Sequence, residues 1–497
     1  MTRNIQFALL ALLLGLGGCT VGRVYQRPTA PPVPSYKELA GNDQWKMATP
    51  SDALIKGKWW EIFGDPELNR LEEMVNINNQ NVKFAEANFR AARALVSLNH
   101  ANYYPTIGAT SSITQSDAGR NSGRGVGGTS QSFAISGLAS WEPDLWGRVR
   151  LSVENANANA QVSAADLENV RLSAQALLAS DYFTILGNDM QQALLQDTIA
   201  AYRTNLQLTM NRYNGGVASK SDVTLAQTQL AGAEAQSTDL HIARAQNEHA
   251  IAMLTGRAPS EVSVPTGKIN GPPPPIPLAV PSVLLERRPD VASNERQVAA
   301  ANANIGLAQT AYYPTLTLSA GPGLLASSLQ NLFTWNSRVW SAGPSLSYTI
   351  FDFGRRHAQV QQSEAEYDAT VATYRQTVLS AFQEVEDDLA SLRYLAEEAV
   401  QQDQAVVAAD QSLVLELARY KAGTDSYLNV ITTQIIDLGD KQTAVNLLQR
   451  RLLAAVDLVK AMGGGWDAST LPTPEQLRSQ NLADPNNTQK VAQPASK

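Results

Sequence analysis

The chain has 497 residues and a net charge of −7 at pH 7, with a sequence pI near 5.3. That balance argues against a nucleic-acid partner, which needs a basic footprint, and a single cysteine excludes an intrachain disulfide. Beyond the N-terminus no apolar run approaches the ~20 residues that a membrane-spanning helix needs.

Residues 1–18 read as a signal peptide, with Arg3 early, an apolar core over 7–16 and small residues after it. Leu16-Gly17-Gly18-Cys19 has the pattern of a bacterial lipobox, and the only cysteine stands at the one position it requires. Cleavage there leaves Cys19 as a lipidated first residue, a palmitate-type anchor whose acyl chains each add membrane affinity. The plainer alternative is an ordinary secretory signal with an incidental cysteine. Residue 20 is Thr, not the acidic residue that retains lipoproteins in the inner membrane. The polar segment 21–50, with Pro28, Pro31, Pro32 and Pro34, has little to bury and is expected to run extended. Residues 19–65 form this lipidated N-terminal piece.

Trp59-Trp60-Glu61-Ile62-Phe63 is an aromatic entry that should pack against the helices that follow. Asp65 suits an N-cap, with Pro66 at the first helical position, and helical spacing predicts one helix over 67–102. The period then falls from three-and-four to two. Ile107, Ala109, Ser111 and Ile113 alternate with small polar residues; a Gly/Ser-rich loop spans 116–130; Phe133, Ile135, Gly137, Ala139 and Trp141 alternate again. A long helix and a return helix carry the chain to Gly256.

Residues 257–288 are a linker dominated by Pro272 to Pro275, Pro277 and Pro281. Pro289 and Asp290 suit the start of the next helix. Leu316, Leu318 and Ala320, then Leu346, Tyr348 and Ile350, repeat the two-residue alternation. These are two hairpins, or four strands of about ten residues, each with one apolar and one Ser/Thr-rich face. Trp141, Trp146, Trp335, Trp340 and Tyr348 lie near strand ends, as in the aromatic girdles of membrane barrels. From Arg355 to Ala422 there is no Gly or Pro, so a continuous helix would be roughly 100 Å long. Its apolar seam includes Val371, Tyr374, Val378, Ala381, Val385, Leu389, Leu392, Ala396 and Ala399. A return helix is predicted over 428–462, and a polar tail over 464–497.

The two halves repeat. Arg212-Tyr213 falls on Arg419-Tyr420 at an offset of 207, as do Gly147-Arg148 on Gly354-Arg355 and Gly256 on Gly463. Residues 66–256 and 289–463 are therefore read as copies of one unit, which makes one elongated body rather than several domains. A soluble sheet with one wet face would show the same alternation. However, the chain carries a signal peptide, and nothing else in it could cover four apolar strand faces. In lipid, open sheet edges are not tolerated, and membrane barrels start at about eight strands, so several chains must share one barrel.

The lipobox, Trp59-Trp60 through Asp65-Pro66, Tyr103-Tyr104-Pro105, the run from Leu284 to Val291, Tyr312-Tyr313-Pro314, Phe351-Asp352-Phe353-Gly354-Arg355 and Ala461-Met462-Gly463-Gly464-Gly465-Trp466 together resemble the outer-membrane factors of tripartite efflux pumps. That is the TolC family, in its OprM-like, NodT-type lipoprotein branch. The resemblance covers nearly the whole mature chain. It implies a mainly α fold with a transmembrane β part: long α-helical hairpins in a trimeric α-barrel, and four strands per chain in a shared 12-stranded β-barrel. It also implies a homotrimer in the outer-membrane lipid that docks to a periplasmic adaptor and an inner-membrane transporter of the RND type. Such a protein passively conducts drugs or other small compounds outward, without enzymatic activity or cofactor.

No motif argues for chemistry. His100, His241, His249 and His357 have no metal-ligand spacing, and no P-loop is present. In the family a Tyr and a basic residue of the second hairpin turn close the periplasmic end against an Asp of the first. The matching residues are Tyr420, Lys421 and Asp222. A Lys421–Asp222 latch at a solvated tip is worth at most ~1 kcal/mol per pair. In the plainer reading Asp222 caps its helix and Tyr420 packs the turn; the two roles are compatible. Relatives often carry inner acidic residues where this chain has Asn429 and Thr432, and a basic residue where it has Ile435. Asp425 in the turn offers partial compensation, so the expectation is a less acidic constriction. A second reading, from a different class, is a non-conducting coiled-coil lipoprotein linking outer membrane and periplasm.

Overall fold

A computed structural model describes residues 21–31, 36–39, 57–117, 129–276 and 286–479. The signal segment with Cys19, most of the 116–130 loop, part of the proline-rich linker and the last residues of the tail lie outside the described residues. The stretch 21–31 contains no helix or strand. It is pinned to the body by Asn302, which donates to the Arg23 carbonyl at 3.0 Å, and by Arg27, which donates to the Tyr374 hydroxyl at 3.4 Å.

Trp59–Phe63 forms a 3₁₀ turn whose two tryptophans are each 1% exposed. Trp59 Nε1 donates to Gln175 Oε1 at 3.2 Å, and Phe63 meets Phe183 at 5.1 Å between centroids. Asp65 accepts from the amides of Glu67 and Leu68, and so caps α1, Pro66–Asn78. The single helix expected over 67–102 is broken: α1 stops at Asn78 and α2 runs Gln80–Ala101. The hinge is Asn79, at φ −59° and ψ 126°, which leaves the helical region while its side chain accepts from the amides of Asn81 and Val82. Its Nδ2 also donates to the Leu254 carbonyl at 2.8 Å. Apolar spacing is helical on both sides of the break, so periodicity could not reveal it.

Strands β1, Thr106–Asp117, and β2, Thr129–Trp141, lead to α3, Arg148–Asn214, and α4, Lys220–Leu254. The second half gives α5, Pro289–Thr310; β3, Thr315–Ala326; β4, Arg338–Ser347; α6, Arg355–Ala422; and α7, Tyr427–Ala461. The 68 residues of α6 bury Tyr374, Val378, Ala381, Val385, Leu389 and Leu392 of the predicted seam. Each large side chain so buried contributes ~1.5–3 kcal/mol. A short helix α8, Pro474–Ser479, anchors the tail by burying Leu477 against Val96 and Ala160.

The sequence repeat has a conformational basis at the ends of the return helices. Gly256 (φ 68°) and Gly463 (φ 88°) are both left-handed. A Cβ would lie 2.3 Å from the Asn78 carbonyl oxygen at the first and 2.0 Å from that of Arg287 at the second. The neighbouring clamps correspond too: Asn79 holds the Leu254 carbonyl, and Arg288, the residue before α5, donates to the Ala461 carbonyl at 3.2 Å.

The strands form one antiparallel sheet in the order β1-β2-β3-β4, so the two predicted hairpins are joined through β2 and β3. Register places Ile107, Ile113, Phe133, Ile135, Trp141, Leu318, Leu324, Trp340 and Leu346 on one face. The other face carries Thr110, Ser112, Ser132, Ser136, Ser319, Ser341 and Ser345, with a Thr110–Ser136 hydroxyl contact at 2.9 Å. The fourth strand departs from expectation. It begins at Arg338 and ends at Ser347, so Tyr348 and Ile350 lie beyond it. Its length is set by pairing with β3, which runs from Leu324↔Arg338 to Thr315↔Ser347. Beyond Ser347, β3 offers no further partner residue, whatever the alternation.

Candidate functional site at the helix-hairpin tips

The hairpins α3–α4 and α6–α7 turn at residues 215–219 and 423–426, and the two turns meet. Their shared core is Ala226, Tyr420, Tyr427, Val430 and Ile431, flanked by Leu206, Leu208 and Leu417. Tyr420 is 4% exposed, and its hydroxyl lies 3.4 Å from Thr209 Oγ1 of the same chain. Its ring is 5.2 Å from that of Tyr427, and burial raises the Tyr427 phenol to about 12. Tyr420 therefore packs the turn rather than reaching outward.

The residue that sequence reasoning passed over is Arg212. Its Nη1 donates to the Tyr420 carbonyl at 2.6 Å, and its guanidinium stands 4.5 Å from the Tyr420 ring centroid. One cation thus ties the end of α3 to the end of α6. The signal was present in the repeat, since Arg212-Tyr213 matches Arg419-Tyr420. Yet the two copies behave differently: Tyr213 is 43% exposed, and Arg419 pairs with Glu416 at 2.9 Å and with Asp425 at 3.7 Å.

Asp222 stands in a reciprocal capping box with Ser219 at the start of α4. The Ser219 amide donates to Asp222 Oδ2 at 2.9 Å, and the Asp222 amide donates to Ser219 Oγ at 3.1 Å. Lys421 is exposed and pairs with no carboxylate among the described residues. Within one chain the structure thus brings Tyr420 and Arg212 together and leaves Lys421 and Asp222 apart. Asp425 accepts from the Ser426 amide at 2.7 Å and from Asn429 Nδ2 at 2.6 Å. Those bonds, with Arg419 nearby, hold its carboxyl below the usual range, so it stays ionised. Asn429, Thr432, Ile435 and Leu428 are exposed along one side of α7. Thr432 turns its hydroxyl back to the Leu428 carbonyl at 3.0 Å. This side of α7 therefore offers amide, hydroxyl and aliphatic groups, with one fixed negative charge at the turn.

The family model described as outer membrane efflux protein matches residues 72–257 and 280–464. A probable efflux pump outer membrane protein of Pseudomonas putida, TtgC, is 31% identical over 474 residues, covering 95% of this chain and 97% of the relative. OprJ, an outer membrane protein of Pseudomonas aeruginosa, is 29% identical over 471 residues, covering 94% and 97%. Among solved structures, the outer-membrane channel OprN aligns with a TM-score of 0.84 at 27% identity, over 90% of this chain and 100% of that one. The Neisseria gonorrhoeae MtrE outer membrane channel, solved in its open state, aligns with a TM-score of 0.77 at 25% identity, over 90% and 99%. The repeated long hairpins and the sheet with one apolar face are the architecture of these channels, and the chain belongs to the outer membrane efflux protein family.

Proposed function

We propose that three copies of this chain form the outer-membrane exit duct of a tripartite efflux system. The duct passively conducts small compounds delivered by an inner-membrane transporter of the RND type through a periplasmic adaptor. The observation that carries this reading is the sheet. It has one mainly apolar face, and β1 and β4 are open edges. Such edges cannot stand in lipid. Three copies supply twelve strands, enough to close around a water-filled lumen; two would supply only the ~8 of the smallest membrane barrels. The Ser/Thr face then lines the pore. Phe84, Leu95 and Leu98 on α2, and Val400, Val407 and Val414 on α6, are exposed in the single chain and offer apolar surface for neighbouring copies.

Cys19 serves as the lipid anchor in this reading. The two repeats, 66–256 and 289–463, act as the units that build the wall, with 19–65, 257–288 and 464–497 as surface segments. At the tips, Lys421 of one copy reaches Asp222 of the next as a weak latch. Tyr420, clamped by Arg212, holds the turn that presents the lysine. Asp425, Asn429 and Thr432 border the narrowing.

The deciding experiment is the mass of the detergent-purified full-length protein followed by its conductance in planar bilayers. A conducting trimer supports the duct. A monomer, or a trimer that carries no current when its tips are loosened, supports the scaffold lipoprotein instead.

A further inference from the structure

One cation stands on the apolar face of the sheet. In the β3–β4 register Arg338 lies opposite Leu324, and Pro322 opposite Trp340; in the β2–β3 register Ile135 lies opposite Leu324. Arg338 therefore shares the face of Ile135, Leu324 and Trp340, at the end of the sheet away from the helices. A charge is tolerated on a lipid-facing strand only near the interface. Its guanidinium lies over the Trp335 ring, 3.4 Å from the centroid, and no carboxylate among the described residues pairs with it. The tryptophan is held by the turn Trp335–Ser337, whose Ser337 Oγ donates to the Asn331 carbonyl at 2.6 Å. The cation is thus preorganised and has no carboxylate partner among the described residues.

Beside it the same face has a notch. Pro322 sits in an inner strand, where its missing N–H interrupts the ladder. Pairing of β2 with β3 stops at Ser136↔Gly323 and resumes at Ala139↔Ala320. Gly137 is the residue opposite Pro322. A Cβ there would meet only ordinary contacts, the nearest being Pro322 Cγ at 3.7 Å, so a side chain would fit where none is present. The result is an open depression of about 450 Å³ lined by Ile135, Gly137, Pro322, Leu324, Arg338 and Trp340.

We propose that this groove binds a phosphorylated lipid of the outer leaflet, with the phosphate on Arg338 and an acyl chain in the Gly137–Pro322 notch. A guanidinium suits phosphate, and the apolar walls suit hydrocarbon. The inference rests on the outer-membrane duct proposed above: with the helices on the periplasmic side, the 327–337 connection, at the end of the sheet away from them, faces outward.

The test is native mass spectrometry of the full-length protein in detergent, titrated with bisphosphorylated lipid A. A diacylglycerol without phosphate and inorganic phosphate are the comparison ligands. Arg338→Gln and Gly137→Leu should each weaken lipid A binding about tenfold while the oligomer's melting temperature holds. The diacylglycerol should bind without sensitivity to Arg338, and millimolar inorganic phosphate should fail to displace lipid A. Equal lipid A binding by both variants overturns the proposal. Displacement by inorganic phosphate also overturns it, by reducing the site to a free-anion site. Planar-bilayer conductance of the same samples separates the two readings. A conducting protein with variant-insensitive lipid binding loses only this site. Variant-sensitive binding without conductance sinks the duct and leaves the lipid site standing.

Discussion

Replacing Arg212 by Ala should loosen the hairpin tips without disturbing the body of the tunnel. The side chain makes a charge-assisted bond of 2.6 Å to the Tyr420 carbonyl and covers the Tyr420 ring at 4.5 Å. The bond is worth about 1.5 kcal/mol net, and the cation–π contact adds ~0.5–1 kcal/mol at a half-buried site. The sum, about 2 kcal/mol, corresponds to a roughly 30-fold rise in local opening at 1.4 kcal/mol per tenfold. Hydrogen exchange followed by mass spectrometry reads this directly. Peptides covering 419–431 should exchange about 30-fold faster, whereas peptides covering the buried seam from Tyr374 to Leu392 should not change. Arg212→Lys, which keeps the charge but loses the planar stack, should fall between. Unchanged exchange at the tip, or equal acceleration in both regions, would refute the clamp.

Lys421→Ala should raise open probability in bilayers and leave stability alone, because its side chain is exposed and unpaired among the described residues of the chain. Ser219→Ala should do the reverse, removing ~1 kcal/mol of capping from α4 as read by local exchange. Identical behaviour of the two variants would argue against separate roles for latch and cap. Thr432→Asp should add block by divalent or trivalent cations, visible as lower single-channel conductance; an unaltered current would reject the weakly acidic constriction. Burial pushes Asp388 up to about 7, with Asp457, Glu384 and Asp387 adding repulsion and Lys460 opposing it. The folded state then holds this proton more tightly than the unfolded chain. Stability should rise as pH falls from 8 towards 5, and Asp388→Asn should flatten the slope of melting temperature against pH. Asn79→Ala removes the α2 cap and leaves the Leu254 carbonyl without its donor, at a cost of about 2 kcal/mol in thermal unfolding.

Much of this protein was legible in its one-dimensional pattern. Helical spacing without Gly or Pro located α6 to its ends, Arg355 and Ala422. The period of two located β1, β2 and β3 and the faces of their side chains, because side-chain direction alternates whatever the partner. The repeat exposed the paired glycines Gly256 and Gly463, since a left-handed turn pressed against a carbonyl admits no Cβ. Other features depended on partners far away in the chain. The break at Asn79 combines a local cap on Asn81 and Val82 with a bond to the Leu254 carbonyl, 175 residues on, and that distant bond is what the sequence does not show. The end of β4 is set by where β3 ends, so the alternation through Tyr348 and Ile350 carried no information about pairing. The tips show the division most clearly. Sequence matched Arg212-Tyr213 to Arg419-Tyr420, but only three-dimensional packing chose which tyrosine is buried and which arginine covers it. Periodicity is a local property of the chain, and it specifies elements and faces. Burial is a property of neighbours, and it decides which of two equivalent residues becomes the clamp.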